Sequence, residues 1–141
     1  YIITPTGKNS LNACAFAKGL GEDLDFKNIS VLTPEEHDKM IAFLSQLTHC
    51  IAVSLMTCKD NTHLHEYTGD SFRDLTRIAN INENMWSELF LMNKEKLVTE
   101  MDEFMNEFKL LRDLIQSEDV EGIKEKMKLS SYRRSFFNKK A

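Results

Sequence analysis

Residues 33–58, TPEEHDKMIAFLSQLTHCIAVSLMTC, determine the fold expected for this chain. The stretch opens with a Thr at the N-cap, a Pro in the first turn and a Glu three residues after the Thr, which is the capping-box pattern of a helix start. Apolar residues then recur at spacings of three and four and also fill a second face. They are Met40, Leu44, Leu47, Ile51, Leu55 and Cys58 on one face and Ile41, Phe43, Ala52, Val53 and Met56 on the other. A helix that is apolar on most sides is predicted to lie in the middle of its domain.

Three further helices are predicted after this central helix, over residues 70–79, 83–116 and 119–137. Asp70 is expected at the N-cap of the first. A single helix over 83–116 would be about 50 Å long at about 1.5 Å per residue, which exceeds the diameter of a compact chain of this size. Its apolar stripe continues along the whole length. We therefore expect a second copy to cover it, giving a homodimer through the long helices.

Residues 1–32 show a different pattern, of strand, helix and strand. The short apolar runs 1–3 and 29–32 flank a helical pattern that Gly19 and Gly21 are expected to end. One such crossover unit cannot form a stable sheet by itself. We therefore expect these residues to be the trailing edge of a larger parallel sheet, and the chain to be a piece of a longer protein. The predicted fold class is mainly α.

Composition is typical of a folded globular protein, with 42% hydrophobic and 28% charged residues. The formal net charge of −4 disfavours nucleic acid as the main partner, because phosphate binding needs a basic face. Residues 121–141 are locally basic, with seven Lys or Arg against two Glu, which we interpret as suiting a helix dipole. No apolar run is expected to reach the roughly 20 residues of a membrane span. We predict a soluble cytoplasmic protein with no membrane partner, whose Cys14, Cys50 and Cys58 are buried, reduced thiols.

The stretch Phe72-Arg73-Asp74-Leu75-Thr76-Arg77-Ile78-Ala79, followed by Met85-Trp86, is the first candidate binding site. A guanidinium matches a carboxylate edge in a bidentate way, so an arginine near aromatic residues can hold a small acidic metabolite. The alternative is that Asp74 and Arg77, three residues apart on a helix, form an ordinary surface ion pair. Both interpretations remain open at this point.

A second candidate site is His63-Leu64-His65-Glu66, because histidines two apart can chelate zinc or nickel. The cluster supplies at most three ligands, and no fourth is evident. We interpret it as a solvated loop and predict no metal site.

The order of these blocks resembles the prephenate dehydrogenase family. The matching blocks are Tyr1-Ile2-Ile3-Thr4-Pro5-Thr6, Leu32-Thr33-Pro34-Glu35-Glu36-His37-Asp38, Ser45-Gln46-Leu47-Thr48-His49, Gly69, Phe72 to Ala79, and Met85-Trp86. They extend over nearly the whole chain, and residues 72–86 are quite specific. The resemblance implies that 1–33 is the C-terminal edge of a Rossmann-type nucleotide-binding domain. Residues 34–141 would then form an all-helical substrate-binding and dimerisation domain.

The resemblance also implies a reaction. In that family prephenate passes a hydride to NAD or NADP and loses its ring carboxylate as carbon dioxide, giving 4-hydroxyphenylpyruvate for tyrosine biosynthesis. The general-base histidine and the glycine-rich cofactor loop of the family lie in the upstream domain. No GxGxxG is formed by the five glycines of this chain, Gly7, Gly19, Gly21, Gly69 and Gly122. No catalytic or cofactor-binding residue is therefore predicted here.

The substrate-binding residues that the resemblance implies are His49, Gly69, Asp74, Arg77 and Trp86. Arg77 would bind a carboxylate of the dicarboxylate substrate, and Asp74 would belong to the surrounding ionic network. The backbone near Gly69 would line the pocket, together with His49 on the central helix. Trp86 would enter the site of the partner subunit, which would place the active site at the dimer interface.

Two alternatives remain, a non-catalytic helical homodimerisation module and an arogenate dehydrogenase. The first differs from the leading hypothesis at Arg77, which should share an interface cavity with His49 and Trp86 if the chain binds substrate. The residues present do not distinguish prephenate from arogenate, or NAD from NADP.

Overall fold

The computed structural model of the chain describes residues 1–138 and is mainly helical, as predicted. Lys139 and Lys140 of the basic C-terminal segment lie outside the described residues. A π-helical segment, Ala42–Leu47, joins two helices, and 3-10 turns cover Thr62–Tyr67 and Arg77–Ala79. The regular elements are β1 Ile2–Ile3, α1 Leu11–Asp23, β2 Ser30–Val31, α2 Pro34–Ile41, α3 Thr48–Thr57, α4 Asp70–Thr76, α5 Glu83–Met92, α6 Lys94–Gln116 and α7 Val120–Ser135.

The N-terminal elements form the predicted crossover unit. Strands β1 and β2 are parallel, with Ile2 opposite Ser30 and Ile3 opposite Val31. The prediction that glycines end the first helix is wrong, because α1 continues through both of them. Gly21 is buried instead, and a Cβ there would lie 2.6 Å from Cδ1 of Tyr1. The glycine therefore allows α1 to approach the first strand closely.

Helix α2 begins with the predicted capping box. The Thr33 hydroxyl accepts from the backbone N–H of Glu36 at 3.2 Å, and Oε2 of Glu36 accepts from the backbone N–H of Thr33 at 2.8 Å. That backbone bond, followed by the one from the Thr33 hydroxyl, lowers the pKa of the Glu36 carboxyl from its usual value. The start of the central helix is thus fixed by two residues that lie three positions apart in sequence.

The predicted single helix over 83–116 is wrong. Helix α5 ends at Met92 and α6 starts at Lys94, because Asn93 leaves helical geometry with φ −118° and ψ 26°. Its side-chain amide donates to the backbone carbonyl of Asp38 at 2.8 Å and to Oε1 of Gln46 at 2.9 Å. These bonds hold a residue of low helix propensity at the break. The longer helix, α6, has 23 residues, or about 35 Å.

The chain contains two compact units, Tyr1–Glu100 and Met101 onwards, and the boundary falls within α6. In the first unit the buried apolar residues are Ala42, Leu47, Ala52 and Leu97. The division into 1–33 and 34–141 predicted from sequence concerns domains of a longer protein and stays a prediction.

The second unit leaves its large apolar side chains exposed, among them Phe104, Met105, Phe108, Leu110, Ile115, Val120, Met127, Leu129, Tyr132, Phe136 and Phe137. Phe104 and Phe108 stack at a centroid separation of 6.2 Å. Lys126 forms an ion pair with Glu107. Exposed apolar sets of this size are characteristic of surfaces that another molecule covers.

One helical stretch, Pro34–Thr57, is long and apolar enough to cross a membrane by length and composition. The expectation that no apolar run approaches this length is therefore wrong. Core helices of soluble proteins pass the same test, so the finding is weak evidence for a membrane span. Gln46 and His49 lie within this stretch, and both side chains hydrogen-bond to protein groups.

Candidate functional site

His49 lies in the first turn of α3, directly after the π-helical segment. Its Nδ1 is 2.8 Å from the backbone carbonyl of Ser45. A carbonyl oxygen can only accept, so Nδ1 carries a proton and donates it. In the neutral ring Nε2 is then left as an acceptor, and within residues 1–138 it makes no hydrogen bond. The half-buried imidazole is therefore oriented by its own helix and has one nitrogen available for a ligand.

Trp86 stacks on His49. The ring centroids are 3.7 Å apart and the planes are inclined by 29°. Phe90, one turn further along α5, lies beside the indole, with ring centroids 5.5 Å apart and planes inclined by 53°. Asn82 fixes the start of α5, because its side chain accepts from the backbone N–H of Met85. The structure thus brings two of the predicted site residues together within a single chain. The predicted entry of Trp86 into a partner's site stays a prediction.

Arg77 lies where α4 passes into a 3-10 turn, and this turn packs against α3. The residue is exposed, and its guanidinium forms no ion pair within the described residues. Asp74 is also exposed, and the ordinary Asp74–Arg77 surface pair is not formed in this part of the chain. Arg73 differs, because its guanidinium donates to the carbonyl of Thr68 at 2.6 Å. Of the two arginines, Arg77 is the one whose guanidinium makes no hydrogen bond within residues 1–138.

Gly69 is the N-cap residue of α4, with φ −88° and ψ 178°. The expected N-cap, Asp70, is instead the first helical residue and makes no capping bond. Gly69 is exposed and lies on a shallow groove of ≈ 280 Å³, apart from the stacked rings. This groove is lined by Leu55, Cys58, Lys59, Asn61, Leu64, Tyr67, Thr68, Gly69 and Phe72. The single chain thus does not place Gly69 beside His49 and Trp86 in one groove, and a cavity shared with Arg77 stays a prediction for the assembled protein.

Sequence reasoning missed Gln46 and Asn93. Gln46 is 4% exposed and is the one polar residue classed as buried among residues 1–138. It donates to the carbonyl of Leu89 at 2.8 Å and accepts from Asn93. A polar residue inside the apolar pattern of 33–58 was the available signal, since buried amides need partners.

The burial of the three thiols differs from the prediction. Cys14 and Cys50 are half-buried, and Cys58 is exposed on the groove that includes Gly69. Burial raises the pKa of the Cys50 thiol from its usual value, because the thiolate loses solvation. The buried-thiol prediction is therefore wrong for Cys58.

No cluster of three or more potential metal ligands occurs in the part of the chain that the structure describes. His63 and His65 lie in a 3-10 turn, and His65 is 3.9 Å from the exposed carboxylate of Glu66. The described residues also lack a glycine-rich turn between a strand and a helix, so they do not fit the pyrophosphate of a dinucleotide. The chemistry that this chain offers is recognition by a cation, an oriented imidazole and stacked aromatic rings.

Comparison with known proteins places this chain in a family. The family model described as "Prephenate dehydrogenase, dimerization domain" matches residues 33–129. A prephenate dehydrogenase of Bacillus subtilis is 33% identical over 133 residues, which are 87% of this chain and 34% of that protein. A cyclohexadienyl dehydrogenase of Zymomonas mobilis is 31% identical over 139 residues, 94% of this chain and 47% of that protein.

A solved structure has the same fold. The crystal structure of prephenate dehydrogenase from Aquifex aeolicus, in complex with hydroxyphenyl propionate and NAD+, superposes with a TM-score of 0.87 at 30% identity. The match covers 97% of this chain and 49% of that one. The chain thus spans about half the length, or less, of the relatives that it matches.

Proposed function

Because the chain belongs to the prephenate dehydrogenase family, we propose that it is the substrate-binding and dimerisation part of an NAD(P)-dependent enzyme that converts prephenate to 4-hydroxyphenylpyruvate. The family match over residues 33–129 is the observation that carries this proposal. The relatives are longer than this chain, and the described residues do not fit a dinucleotide. We therefore assign hydride transfer and cofactor binding to other parts of the complete protein, with NAD or NADP as cofactor.

Arg77 is the residue assigned to the substrate carboxylate. The residue is exposed, its guanidinium is unpaired within residues 1–138, and its turn packs on the helix that bears His49. The attraction of an exposed arginine for an anion is screened by water, so it is weak until another surface excludes that water. A second copy, or the cofactor-binding part, would supply that surface. We assign Asp74, three residues before Arg77, to the ionic network around it.

His49 and Trp86 are assigned to the substrate ring and its polar groups. With Nδ1 held by Ser45, the imidazole presents Nε2 in one orientation, which avoids an entropic cost on binding. The indole stacked on it supplies an apolar face for a six-membered ring. The backbone near Gly69 is assigned to the rim of the same pocket in the dimer.

The dimer itself is proposed to form through the exposed apolar residues of α6 and α7. The matched family model is described as a dimerization domain and extends to residue 129. A homodimer that buries these side chains would account for the apolar surface of the second unit. We propose that the complete protein is a soluble cytoplasmic enzyme.

Arg77→Lys in the complete enzyme tests the substrate assignment. Lysine keeps the charge but loses the bidentate fork. We therefore expect the KM for prephenate to rise about 10- to 100-fold, which corresponds to the loss of about one hydrogen bond to a charged group. The matched control is Arg73→Lys, four residues away, whose guanidinium is bonded to Thr68. An unchanged KM in Arg77→Lys, or an equal rise in both variants, would contradict the assignment.

Assays of the complete enzyme with prephenate and arogenate, each with NAD and NADP, would decide between the alternatives. We expect the larger kcat/KM for prephenate. A larger value for arogenate would assign the chain to an arogenate dehydrogenase. Absence of activity with both, together with an intact dimer, would favour the non-catalytic dimerisation module.

A further inference from the structure

A pair of amide side chains connects the two elements that carry the stacked rings. Gln46 lies in the π-helical segment, three residues before His49, and Asn93 closes the helix that bears Trp86. The Gln46 amide donates to the carbonyl of Leu89 and accepts from the Asn93 amide, at 2.8 and 2.9 Å. Asn93 also donates to the carbonyl of Asp38 in α2. Among residues 1–138 no buried side-chain polar atom lacks a partner.

These bonds lie close to the two rings along the chain. Leu89 is one turn beyond Trp86 on α5, so the bond from Gln46 fixes that face of α5 against the π-helical segment. Ser45, the neighbour of Gln46, is the residue whose carbonyl orients the His49 ring. The His49 ring is thus oriented by the carbonyl of Ser45, and the helix that carries Trp86 is held by the side-chain amide of Gln46.

The π-helical geometry is part of the same arrangement. A π segment adds a residue to a turn, is rare, and occurs mostly as a single-turn bulge inside an α-helix, frequently at a functional site. The buried Gln46 side chain bonds this segment to α5. An unpaired amide in this position would cost the loss of its hydration. Apolar packing of Trp86 on Phe90 lies within α5 alone, so it cannot set the distance between α5 and His49.

We propose that Gln46 and Asn93 are positioning residues that hold Trp86 against His49. They do so by fixing α5 to the π-helical segment, and they do not themselves touch a ligand. The effect on substrate rests on the proposed function, because it assumes that His49 and Trp86 contact the substrate. The effect on the ring pair does not depend on that assumption.

The ring pair can be observed directly by NMR of the 141-residue chain. The indole signals belong to Trp86, because it is the only tryptophan of the sequence. Its ring current shifts the ring protons of His49, because the two rings stack, and cross-relaxation between them reports their contact. In Gln46→Met, which keeps the volume but removes the amide, we expect the shift and the inter-ring cross-peaks to be lost. In Asn93→Ala, which keeps the Gln46–Leu89 bond, we expect them to be weakened.

Thr33→Ala is the matched control, because it removes the cap of α2 without touching the amide pair. It should lower the melting temperature and leave the His49 signals unchanged. Retention of the full ring-current shift in both network variants would overturn the proposal, whatever their stability. Asn93→Ala alone decides the matter if Gln46→Met does not fold.

Two measurements on the complete enzyme separate this inference from the proposed function. They are its kinetic constants with prephenate and its titration with 4-hydroxyphenylpropionate as a binding probe. In the complete enzyme we expect Gln46→Met to raise the KM for prephenate more than it lowers kcat. Loss of the ring contact with no change in KM or in binding of the probe would uphold the positioning role and contradict the substrate role of the rings. A fall in kcat alone, with the ring contact intact, would contradict the positioning role.

Discussion

Replacing Phe108 by Ala should weaken the dimer. Phe108 is 64% exposed in the single chain, on a part of α6 that the family model includes. Burying a whole Phe side chain is worth about 1.5–3 kcal/mol, so about 1–2 kcal/mol remains to be gained from the exposed part of each copy. A two-fold interface contains the residue twice, which makes about 2–4 kcal/mol per dimer. The dissociation constant should therefore rise about 30- to 900-fold.

Sedimentation velocity over a concentration series measures this constant. The matched control is Phe16→Ala, since Phe16 is 75% exposed and lies outside residues 33–129. It should leave the constant unchanged, and circular dichroism should show that both variants stay helical. The reasoning fails if Phe108→Ala associates like the original chain, or if Phe16→Ala weakens association as much.

Three further results are expected. Glu36→Gln should flatten the acid limb of a stability–pH curve, because a lowered carboxyl pKa gives stability that is present above the unfolded-state pKa and lost as pH falls; an unchanged limb would rule out this role. Iodoacetamide should modify the exposed Cys58 before Cys50, whose pKa is raised by burial. Peptide mass spectrometry measures the order of modification, and earlier modification of Cys50 would contradict this prediction. Leu97→Ala should cost about 2–5 kcal/mol in urea unfolding; a loss below about 1 kcal/mol would contradict its core position.

The parts of the fold predicted from sequence are those set by neighbouring residues. The capping box of Thr33 and Glu36 depends on positions three apart. The parallel pairing of the two short strands followed from the helix between them. Such features are recognisable because the interacting groups lie within one turn or one crossover unit.

The break at Asn93 could not be predicted in this way. Its partners, Asp38 and Gln46, are 55 and 47 residues away in the chain. The apolar pattern on either side continues at helical spacing, and a one-residue interruption hardly changes it. The π-helical segment was missed for the same reason, since one extra residue per turn lies within the spread of a three-or-four spacing.

The roles predicted for the residues of the candidate site stay predictions. The resemblance named His49 and Trp86, but only coordinates reveal that their rings stack in one chain. It also named Arg77, which remains exposed when the chain is considered alone. A site completed by other surfaces cannot be assembled from the contacts of one chain. The substrate-binding set of His49, Gly69, Asp74, Arg77 and Trp86 therefore stays a prediction.

The short connection between β2 and α2 determines where this protein can be cut into folded fragments. Only Leu32 and Thr33 separate the last strand residue from the first helical residue, and both are bonded, Leu32 to the carbonyl of Ile3 and Thr33 to Glu36. Proteases need several residues of loose backbone to cut, so limited digestion should spare this corner. A shortened polypeptide meant to isolate the helices would do better to start several residues upstream of Pro34, because starting at Pro34 removes the cap and leaves the longest apolar stretch frayed at its first turn.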